Sequence, residues 1–299
     1  MKRIIVVGSS NTDLVVKTDK IPDPGETVIG TDFTMSSGGK GANQAVAAFR
    51  LGGNISFITK LADDTFGNRI YDEFREENMD MRFIFKDSDK PTGVALICVN
   101  RMGDNIITVA PGANETLSCA NIDLAAENIS EADYLLLQLE IPVSIVEYIV
   151  NIAHQNKTKV ILNPAPASIL SKELLSKLYL ITPNETEAKF LTGIDISNLD
   201  EADKAAQILL DKGVENVVIT LGAKGAYVKN STCAYWVEAI SVEAVDTTAA
   251  GDVFNGALAV ALSEDKDLLS AVEFATKASA ISVTRNGARD SIPYRYEIK

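Results

Sequence analysis

The sequence predicts an α/β fold: a doubly wound, mostly parallel central sheet flanked by helices, with a small projecting β-sheet. Apolar strands alternate with helical segments of about a dozen residues, the pattern of a parallel sheet. The first strand, 3–7, is an apolar run after Arg3, as in sheets covered on both faces. The 299 residues are about the most that one core serves, so we expect a single domain, 1–299.

Two segments depart from this alternation and predict the projecting sheet. Residues 13–35 alternate weakly between polar and apolar side chains around the turn-forming 21–25, and 93–110 contains two alternating runs joined by 101–104. Both read as antiparallel strands outside the main sheet. A sheet held out from the core can cover a cleft, so we expect a lid formed from about 13–35 and 93–110.

The remaining elements follow from apolar spacing and helix breakers. The helix at 42–51, for example, has apolar residues at i, i+3, i+4 and i+7 and ends at two glycines. By the same reasoning we predict strands at 55–60, 134–138, 160–163, 179–182 and 217–221, helices at 66–77, 143–155, 185–191, 201–212, 249–262 and 268–282, and a hairpin-like stretch at 225–237.

Composition excludes several classes of function. The net charge of −13 disfavours a nucleic-acid partner, because such proteins displace counterions with basic residues. The apolar run at the N-terminus is too short for a signal peptide, and none approaches the roughly 20 residues of a membrane span. Three dispersed cysteines, Cys98, Cys119 and Cys233, form no metal or disulfide pattern. We therefore expect a cytoplasmic protein without a membrane partner.

The single histidine narrows the chemistry further. His154 lies where we predict the exposed end of a helix, which nearly excludes a histidine base or a histidine-bound metal. The sequence also lacks the G-x-x-x-x-G-K-[ST] loop, and Gly8-Ser9-Ser10-Asn11 follows the first strand where a dinucleotide fold has G-x-G-x-x-G. A bound nucleotide would need another device.

The strongest candidate for that device is the segment 245–252, directly ahead of the predicted helix 249–262. Small residues at Ala249, Ala250 and Gly251 would let a phosphate approach amides that have no partner within the helix. Asp252 could then accept a hydroxyl proton during phosphoryl transfer. Taken alone, Asp252 is better explained as a carboxylate that complements the helix dipole or caps the turn.

Two further motifs are suited to a polar ligand. The segment 38–43 is a glycine-rich loop that opens a helix, and Asn43 adds a donor and an acceptor. Asn11 and Asp13 follow the first strand, at the edge of the sheet where α/β proteins bind ligands. The glycine-rich segment could instead be a flexible turn with a capping residue, in which Lys40 is a solvated charge. Asn11 and Asp13 could belong to an ordinary turn.

Taken together, these segments resemble the PfkB-type carbohydrate kinase family. Residues 38–43 are similar to its N-terminal signature and 246–252 to its C-terminal signature, while 163–166, 182–187 and 220–225 fall between them in the family's order. The likeness covers essentially the whole chain. Where many members have Gly-Ala-Gly-Asp, this chain has Ala249-Ala250-Gly251-Asp252, a variant that favours the family's ribose-phosphorylating members. The chain also stops at Lys299, so a final helix of some members is short or missing.

The resemblance implies transfer of the γ-phosphoryl group of ATP to O5 of D-ribose, giving ribose 5-phosphate and ADP, with Asp252 as the base and the amides of 249–251 as the anion hole. It implies that the sugar is held by Asn11, Asp13, Gly39, Lys40, Gly41, Asn43, Glu140 and Asp252. It implies that Asn184 and Glu187 organise the phosphates, Mg²⁺ and its waters, and that ATP is held by Asn184, Glu187, Thr220, Gly222, Ala223, Lys224, Gly225, Gly251, Asp252 and Thr276. Glu187 has an alternative interpretation as an ordinary exposed helix carboxylate.

The same resemblance implies a monovalent cation site, suited to K⁺, beside the anion hole. Its members would be Asp246, Thr248, Ser282, Arg285, Gly287 and Ser291. The alternative is a loop that merely packs beneath the helix start. A homodimer through the lid sheet is a further implication. Open alternatives for the function are a kinase for 2-deoxyribose, for another sugar or for a nucleoside, and a sugar-binding protein that has lost catalysis.

Overall fold

The main sheet forms because its apolar strands bury their side chains under helices on both faces. A computed structural model describes residues 2–299 of the chain. Its strands and helices are β1 (Arg3–Val7), β2 (Asn11–Lys17), β3 (Asp32–Gly38), α1 (Lys40–Arg50), β4 (Asn54–Ala62), α2 (Thr65–Glu76), β5 (Ile84–Asp87), β6 (Gly93–Val99), β7 (Asn105–Ala110), α3 (Cys119–Asp123), α4 (Ala126–Ser130), β8 (Tyr134–Leu137), α5 (Val143–Gln155), β9 (Lys159–Leu162), α6 (Lys172–Leu175), β10 (Leu180–Ile181), α7 (Glu185–Thr192), α8 (Leu199–Asp211), β11 (Asn216–Thr220), β12 (Ala226–Asn230), β13 (Ala234–Val237), α9 (Ala250–Ser263) and α10 (Leu268–Ser282).

Nine of the strands form one large sheet in the order β13-β12-β11-β10-β9-β8-β1-β4-β5. All neighbours are parallel except β11–β12 and β12–β13, and the second of these antiparallel pairs is the hairpin predicted at 225–237. The side chains of β1 alternate between two buried clusters: Ile4 and Val6 contact the face covered by α1, α9 and α10, and Ile5 and Val7 the face covered by α5 and α8. The predicted doubly wound, mostly parallel sheet is confirmed.

The second sheet has four strands in the order β3-β2-β6-β7. It comes from the two predicted segments, which join through a parallel pairing of β2 with β6. The paired residues of the first segment are 11–17 and 32–38, so its strands extend two residues before and three residues beyond the predicted 13–35, and no strand runs between 18 and 31. Apolar side chains remain exposed on this sheet, and the largest are Phe33, Leu96, Ile106 and Ile107.

Four short elements were not predicted from the sequence. The strand β5 and the helices α3, α4 and α6 have only four or five residues each, too few for a periodic pattern to stand out. Helix α9 begins one residue later than predicted, because Ala249 adopts a left-handed conformation with φ 61°. His154 is exposed near the end of α5, as predicted. Within residues 2–299, no helix is both long and apolar enough to span a membrane.

Candidate active site

The carboxyl ends of the parallel strands meet the start of α9, and Asp252 lies there in the first turn. Its side chain is 6% exposed. Asn43 Nδ2 donates to its Oδ2 and Gln44 Nε2 donates to its Oδ1, both at 3.0 Å. Burial raises the pKa of Asp252, while nearby Lys40 and these two amides act in the opposite direction. Asp252 is therefore a buried carboxyl group held by neutral donors.

The start of α9 also supplies unpaired amides. Ala249 precedes the helix with its left-handed backbone and no side-chain cap. The amide of Ala250 donates to the Thr247 carbonyl at 3.2 Å. Among the hydrogen bonds of the described residues, no acceptor faces the amides of Ala249, Gly251 or Asp252. A helix start with free amides attracts anions, since the helix dipole adds to their partial charge.

The glycine-rich loop approaches Asp252 from the start of α1. Gly39 has φ 90°, and a Cβ on Gly41 would lie 2.5 Å from the backbone of Gly8 and Ser9. Only glycine lets α1 pack this closely against the end of β1. The Lys40 amide donates to Glu140 Oε2 at 3.0 Å, and that same oxygen accepts from Ser9 Oγ at 2.5 Å. The loop therefore holds Glu140 beside its backbone.

Asn11 and Asp13 lie on β2, the strand that joins the small sheet to the main one. Asn114 Nδ2 donates to Asn11 Oδ1 at 2.7 Å, which leaves the Asn11 amide nitrogen to face elsewhere. Asp13 is 9% exposed and lies against Gly38, where a Cβ would be only 2.1 Å from its Oδ2. Burial, together with the charges of Glu140 and Asp252, raises the pKa of Asp13 to about 7.

The side chain of Lys40 faces an acidic environment. Burial would lower its pKa, but the surrounding carboxylates outweigh burial and raise the pKa above its ordinary value. These carboxylates are Asp252, Glu140, Glu187 and Asp13. The alternative of a freely solvated Lys40 is not favoured, because Lys40 is only partly exposed and these carboxylates act on its charge, although none of them forms an ion pair with it among residues 2–299.

Asn184 and Glu187 form a reciprocal cap at the start of α7. The Glu187 amide donates to Asn184 Oδ1 at 2.8 Å, and the Asn184 amide donates to Glu187 Oε2 at 2.9 Å. Glu187 is 8% exposed, and burial raises its pKa. Its interpretation as an ordinary exposed helix carboxylate is therefore wrong.

A cleft of about 780 Å³ opens beside the start of α9. Of the residues assigned to ATP from sequence, the cleft is lined by Asn184, Thr220, Gly222, Ala223, Lys224, Gly225, Gly251 and Thr276. Glu187 and Asp252 do not line it. Sequence reasoning missed the apolar part of the wall, which consists of Trp236, Ile240, Val242, Phe254 and Val283. The exposed apolar residues of 236–245 could have indicated it, since β13 ends at Val237 and no strand follows there.

The proposed cation residues lie on two crossing loops. Asp246 accepts from the amides of Thr248 and Gly287, each at 2.9 Å. Burial raises the pKa of Asp246, but these hydrogen bonds outweigh burial and hold it below its ordinary value. The Ser282 carbonyl accepts from the Arg285 amide, and Ser291 is buried with its hydroxyl donating to the Ala288 carbonyl.

Three carbonyl groups of these loops have no donor among the described residues: those of Thr248, Arg285 and Gly287. Together with the Asp246 carboxylate they form an all-oxygen set, which fits a hard cation such as K⁺. Thr248 is exposed and Arg285 and Gly287 are partly exposed, so water can also satisfy these carbonyls, and the alternative of a loop that merely packs stays open.

A doubly wound sheet with a buried carboxylate and free amides beside a nucleotide-sized cleft can support phosphoryl transfer to a hydroxyl group. The sequence matches the pfkB family of carbohydrate kinases over residues 1–295, and the chain belongs to this family. A ribokinase of Haemophilus influenzae is 46% identical over 296 residues, covering 99% of this chain and 97% of that protein. A deoxyribokinase of Salmonella typhi is 36% identical over 291 residues, covering 97% of this chain and 95% of that protein.

The structure of an Arabidopsis thaliana ribokinase complexed with ribose and ATP has the same fold. It superimposes with a TM-score of 0.92 at 30% identity, covering 99% of this chain and 97% of that one. The predicted family and fold are thereby confirmed.

Proposed function

We propose that this protein transfers the γ-phosphoryl group of ATP to O5 of D-ribose, releasing D-ribose 5-phosphate and ADP. One observation carries the proposal: Asp252 is buried, is held by the amides of Asn43 and Gln44, and directly follows Gly251, which lines the nucleotide-sized cleft. The ribokinase relatives support D-ribose as the acceptor.

The pocket next to Asp252 suits a small polyol. Its groups come from β2, the start of α1 and the end of β8, and they are Asn11, Asp13, Gly39, Lys40, Gly41, Asn43 and Glu140. The Asp13 carboxylate can accept from two neighbouring hydroxyls, and Asn43 Oδ1, buried without a donor in residues 2–299, can accept another. Each buried acceptor left unpaired without ligand favours a ligand rich in hydroxyls.

The reaction needs a base and a charge-stabilising site. Asp252 takes the proton of the O5 hydroxyl as O5 forms its bond to the γ-phosphorus, and the bridging oxygen leaves with ADP. The free amides at Ala249 and Gly251 then stabilise the charge on the transferring group. Because the site is buried, these interactions are stronger than in water.

Mg²⁺ fits the acidic side of the cleft. Asn184 lines the cleft and orients Glu187, whose carboxylate is buried behind it. Mg²⁺ retains several waters in phosphate sites, so this pair would hold the phosphates and the waters around the metal. The ion neutralises charge on the phosphates when it is bound.

K⁺ is proposed as a monovalent activator held by Asp246 and the nearby carbonyl groups. Such an ion would fix the loops that precede the anion hole. We expect kcat to fall at least several-fold when K⁺ is exchanged for Na⁺ or Tris, measured by a coupled assay of ADP release. Asp246→Asn is expected to remove this dependence. An equal rate in all three salts contradicts the site.

The ionisation of Asp13 gives a prediction for sugar binding. Its pKa is about 7, so near neutrality the free protein holds part of this group protonated. The hydroxyls of ribose donate to the ionised form, so binding lowers the pKa and releases a proton. Below pH 7 the Kd for ribose should therefore rise by up to about tenfold per pH unit.

Calorimetry of ribose binding in two buffers of different protonation enthalpy measures that release. Asp13→Asn is the control, since its side chain cannot titrate and any release from other groups will remain. A flat Kd between pH 5.5 and 8 with no buffer dependence would show that Asp13 does not bind the sugar as a titrating carboxylate.

A homodimer through the small sheet is proposed from its exposed apolar side chains. Cross-strand pairing places Leu96 on one face and Ile107 on the other. Light scattering should give twice the monomer mass, and Leu96→Glu or Ile107→Glu should lower it to the monomer, which identifies the contacting face. A monomeric wild-type protein contradicts the dimer.

The proposed location of the protein is the cytoplasm. The three cysteines are free, as a reducing compartment such as the cytoplasm favours.

The deoxyribokinase relative makes 2-deoxyribose the second candidate acceptor. A coupled assay across pentoses, hexoses and nucleosides decides between these acceptors. We expect the highest kcat/KM for D-ribose, and binding without turnover would instead indicate a sugar-binding protein.

A further inference from the structure

Behind Asp252 lies a chain of buried amide side chains. Gln44 and Gln138 are both fully buried, and Asn163 is 7% exposed. Gln44 Nε2 donates to Asp252 Oδ1 at 3.0 Å and to Asn163 Oδ1 at 3.1 Å, and Gln138 Nε2 donates to Gln44 Oε1 at 2.6 Å. None of these three amides belongs to the sugar or nucleotide residues named above.

The hydrogen bonds determine which way each amide points. Asn163 Nδ2 donates to the Thr182 carbonyl at 3.2 Å, and a backbone carbonyl can only accept. Asn163 must therefore direct its oxygen to Gln44, and Gln44 must direct its nitrogen to both Asn163 and Asp252. The orientation of the Gln44 amide is therefore fixed by its hydrogen bond to Asn163, independently of Asp252.

Close helix packing brings this donor within reach. A Cβ on Gly256 of α9 would lie 2.7 Å from Ala47 Cβ and 2.8 Å from the Gln44 carbonyl of α1. Only a residue without a side chain lets the two helices approach this closely. The approach places the side chain of Gln44 directly against the first turn of α9.

We propose that Gln44 is a positioning residue that fixes Oδ1 of Asp252 and so orients the carboxylate for proton transfer. The inference rests on the proposed function, in which Asp252 is the base. A neutral donor suits the task, because a cation bonded to the carboxylate would weaken it as a base. Gln44 holds the group in place and leaves its charge available.

Other charged groups around Asp252 also influence its pKa, and their influence must be distinguished from that of Gln44. They come from several elements, and they are Lys40 at the start of α1, Glu140 after β8, Asp13 on β2 and Glu187 on α7. None of them is hydrogen-bonded to the Asp252 carboxylate, whose two oxygens accept only from Asn43 and Gln44 among residues 2–299. Changing Gln44 alters a direct bond and leaves these charges in place.

The first test does not depend on activity. Carbon-13 NMR of protein labelled at aspartate, assigned with Asp252→Asn, reports the pKa of Asp252 in the free protein. Gln44→Met keeps the volume and removes the donor, so we expect that pKa to move up by about one unit. An unchanged pKa in a folded Gln44→Met protein overturns the inference, whatever the protein phosphorylates.

Kinetics give the second readout. Gln44→Met should lower kcat by roughly tenfold to a hundredfold with the KM for ribose within about threefold, and should move the acidic limb of the kcat profile to higher pH. Gln44→Glu keeps the shape and should move that limb further, because two adjacent carboxyl groups share one proton. If Gln44→Met does not fold, Gln44→Glu carries both tests.

Gln207→Met is the matched control. Gln207 Nε2 also donates to an aspartate, Asp211 Oδ1 at 2.8 Å, but it lies on the exposed side of α8. It should change neither kcat nor the pH profile. Gln44 would have a purely structural role if both Gln44 variants showed a lower kcat and a higher KM without any shift of the acidic limb. Absence of kinase activity in the wild type contradicts the proposed function, and the NMR shift still decides on Gln44.

Discussion

Asp252→Asn is expected to lower kcat by about a thousandfold or more while ribose still binds, because asparagine keeps the shape of the side chain and cannot accept the O5 proton. The hydrogen bonds from Asn43 and Gln44 locate the carboxylate. One of them is lost in the variant, since an amide nitrogen would face a donor, so a modest change in KM is consistent with the proposal. Steady-state kinetics with calorimetry of ribose binding measure both quantities.

Asp211→Asn, an exposed aspartate on α8, serves as the control and should retain full activity. Near-normal kcat in Asp252→Asn would remove Asp252 from the role of base. Loss of ribose binding in step with kcat would assign it to binding instead.

Gly251→Ala has the second-largest expected effect. A Cβ at Gly251 would meet nothing within 4 Å, and the backbone there is not left-handed, so the fold accepts alanine. That open space is the cleft, where the γ-phosphoryl group would approach the amide. We expect kcat/KM for ATP to fall by about a hundredfold, with the melting temperature unchanged or slightly raised by the better helix former.

Gly41→Ala provides the contrast. Its Cβ would overlap the backbone of Gly8 and Ser9, so it should lower the melting temperature as well as the activity. Calorimetric melting of both variants separates the two causes. A Gly251→Ala protein with normal kcat/KM for ATP would show that the phosphoryl group does not approach this amide.

Most of the fold and the residues nearest the ligands could be predicted from sequence. The strand 3–7 is apolar after Arg3, so the burial of 4–7 on both faces follows from the residue types alone. Asp252 and the glycine-rich loop stand out because small residues directly before a helix are unusual and have a physical reason. Their assignment to a sugar and to ATP came from the resemblance to a family, since each motif alone had a plainer interpretation.

The rest depended on contacts between distant parts of the chain. Gln44 sits in an apolar helix and Gln138 follows a buried strand, so neither differs in sequence from an ordinary amide. Only the packing of α1 against α9 brings Gln44 to Asp252. Asn114 is similar, because its contact with Asn11 joins residues 103 positions apart. Periodicity describes one element at a time and contains no information on such pairs.

The burial of single charges was also beyond the sequence. Lys40 and Glu187 could each be taken for solvated residues, because exposure depends on what covers a side chain. In the structure, Lys40 is only partly exposed and nearby carboxylates raise its pKa, while Glu187 is buried and its carboxylate accepts from the Asn184 amide.

The central claim is that Asp252 activates O5 of D-ribose. Phosphorus NMR of the product formed from D-ribose and MgATP tests it most directly, with wild type and Asp252→Asn compared under the same conditions. We expect one phosphate monoester, coupled to the protons on C5, from the wild type and almost none from the variant. A phosphate on another carbon, or the same product at a similar rate from Asp252→Asn, would contradict the claim.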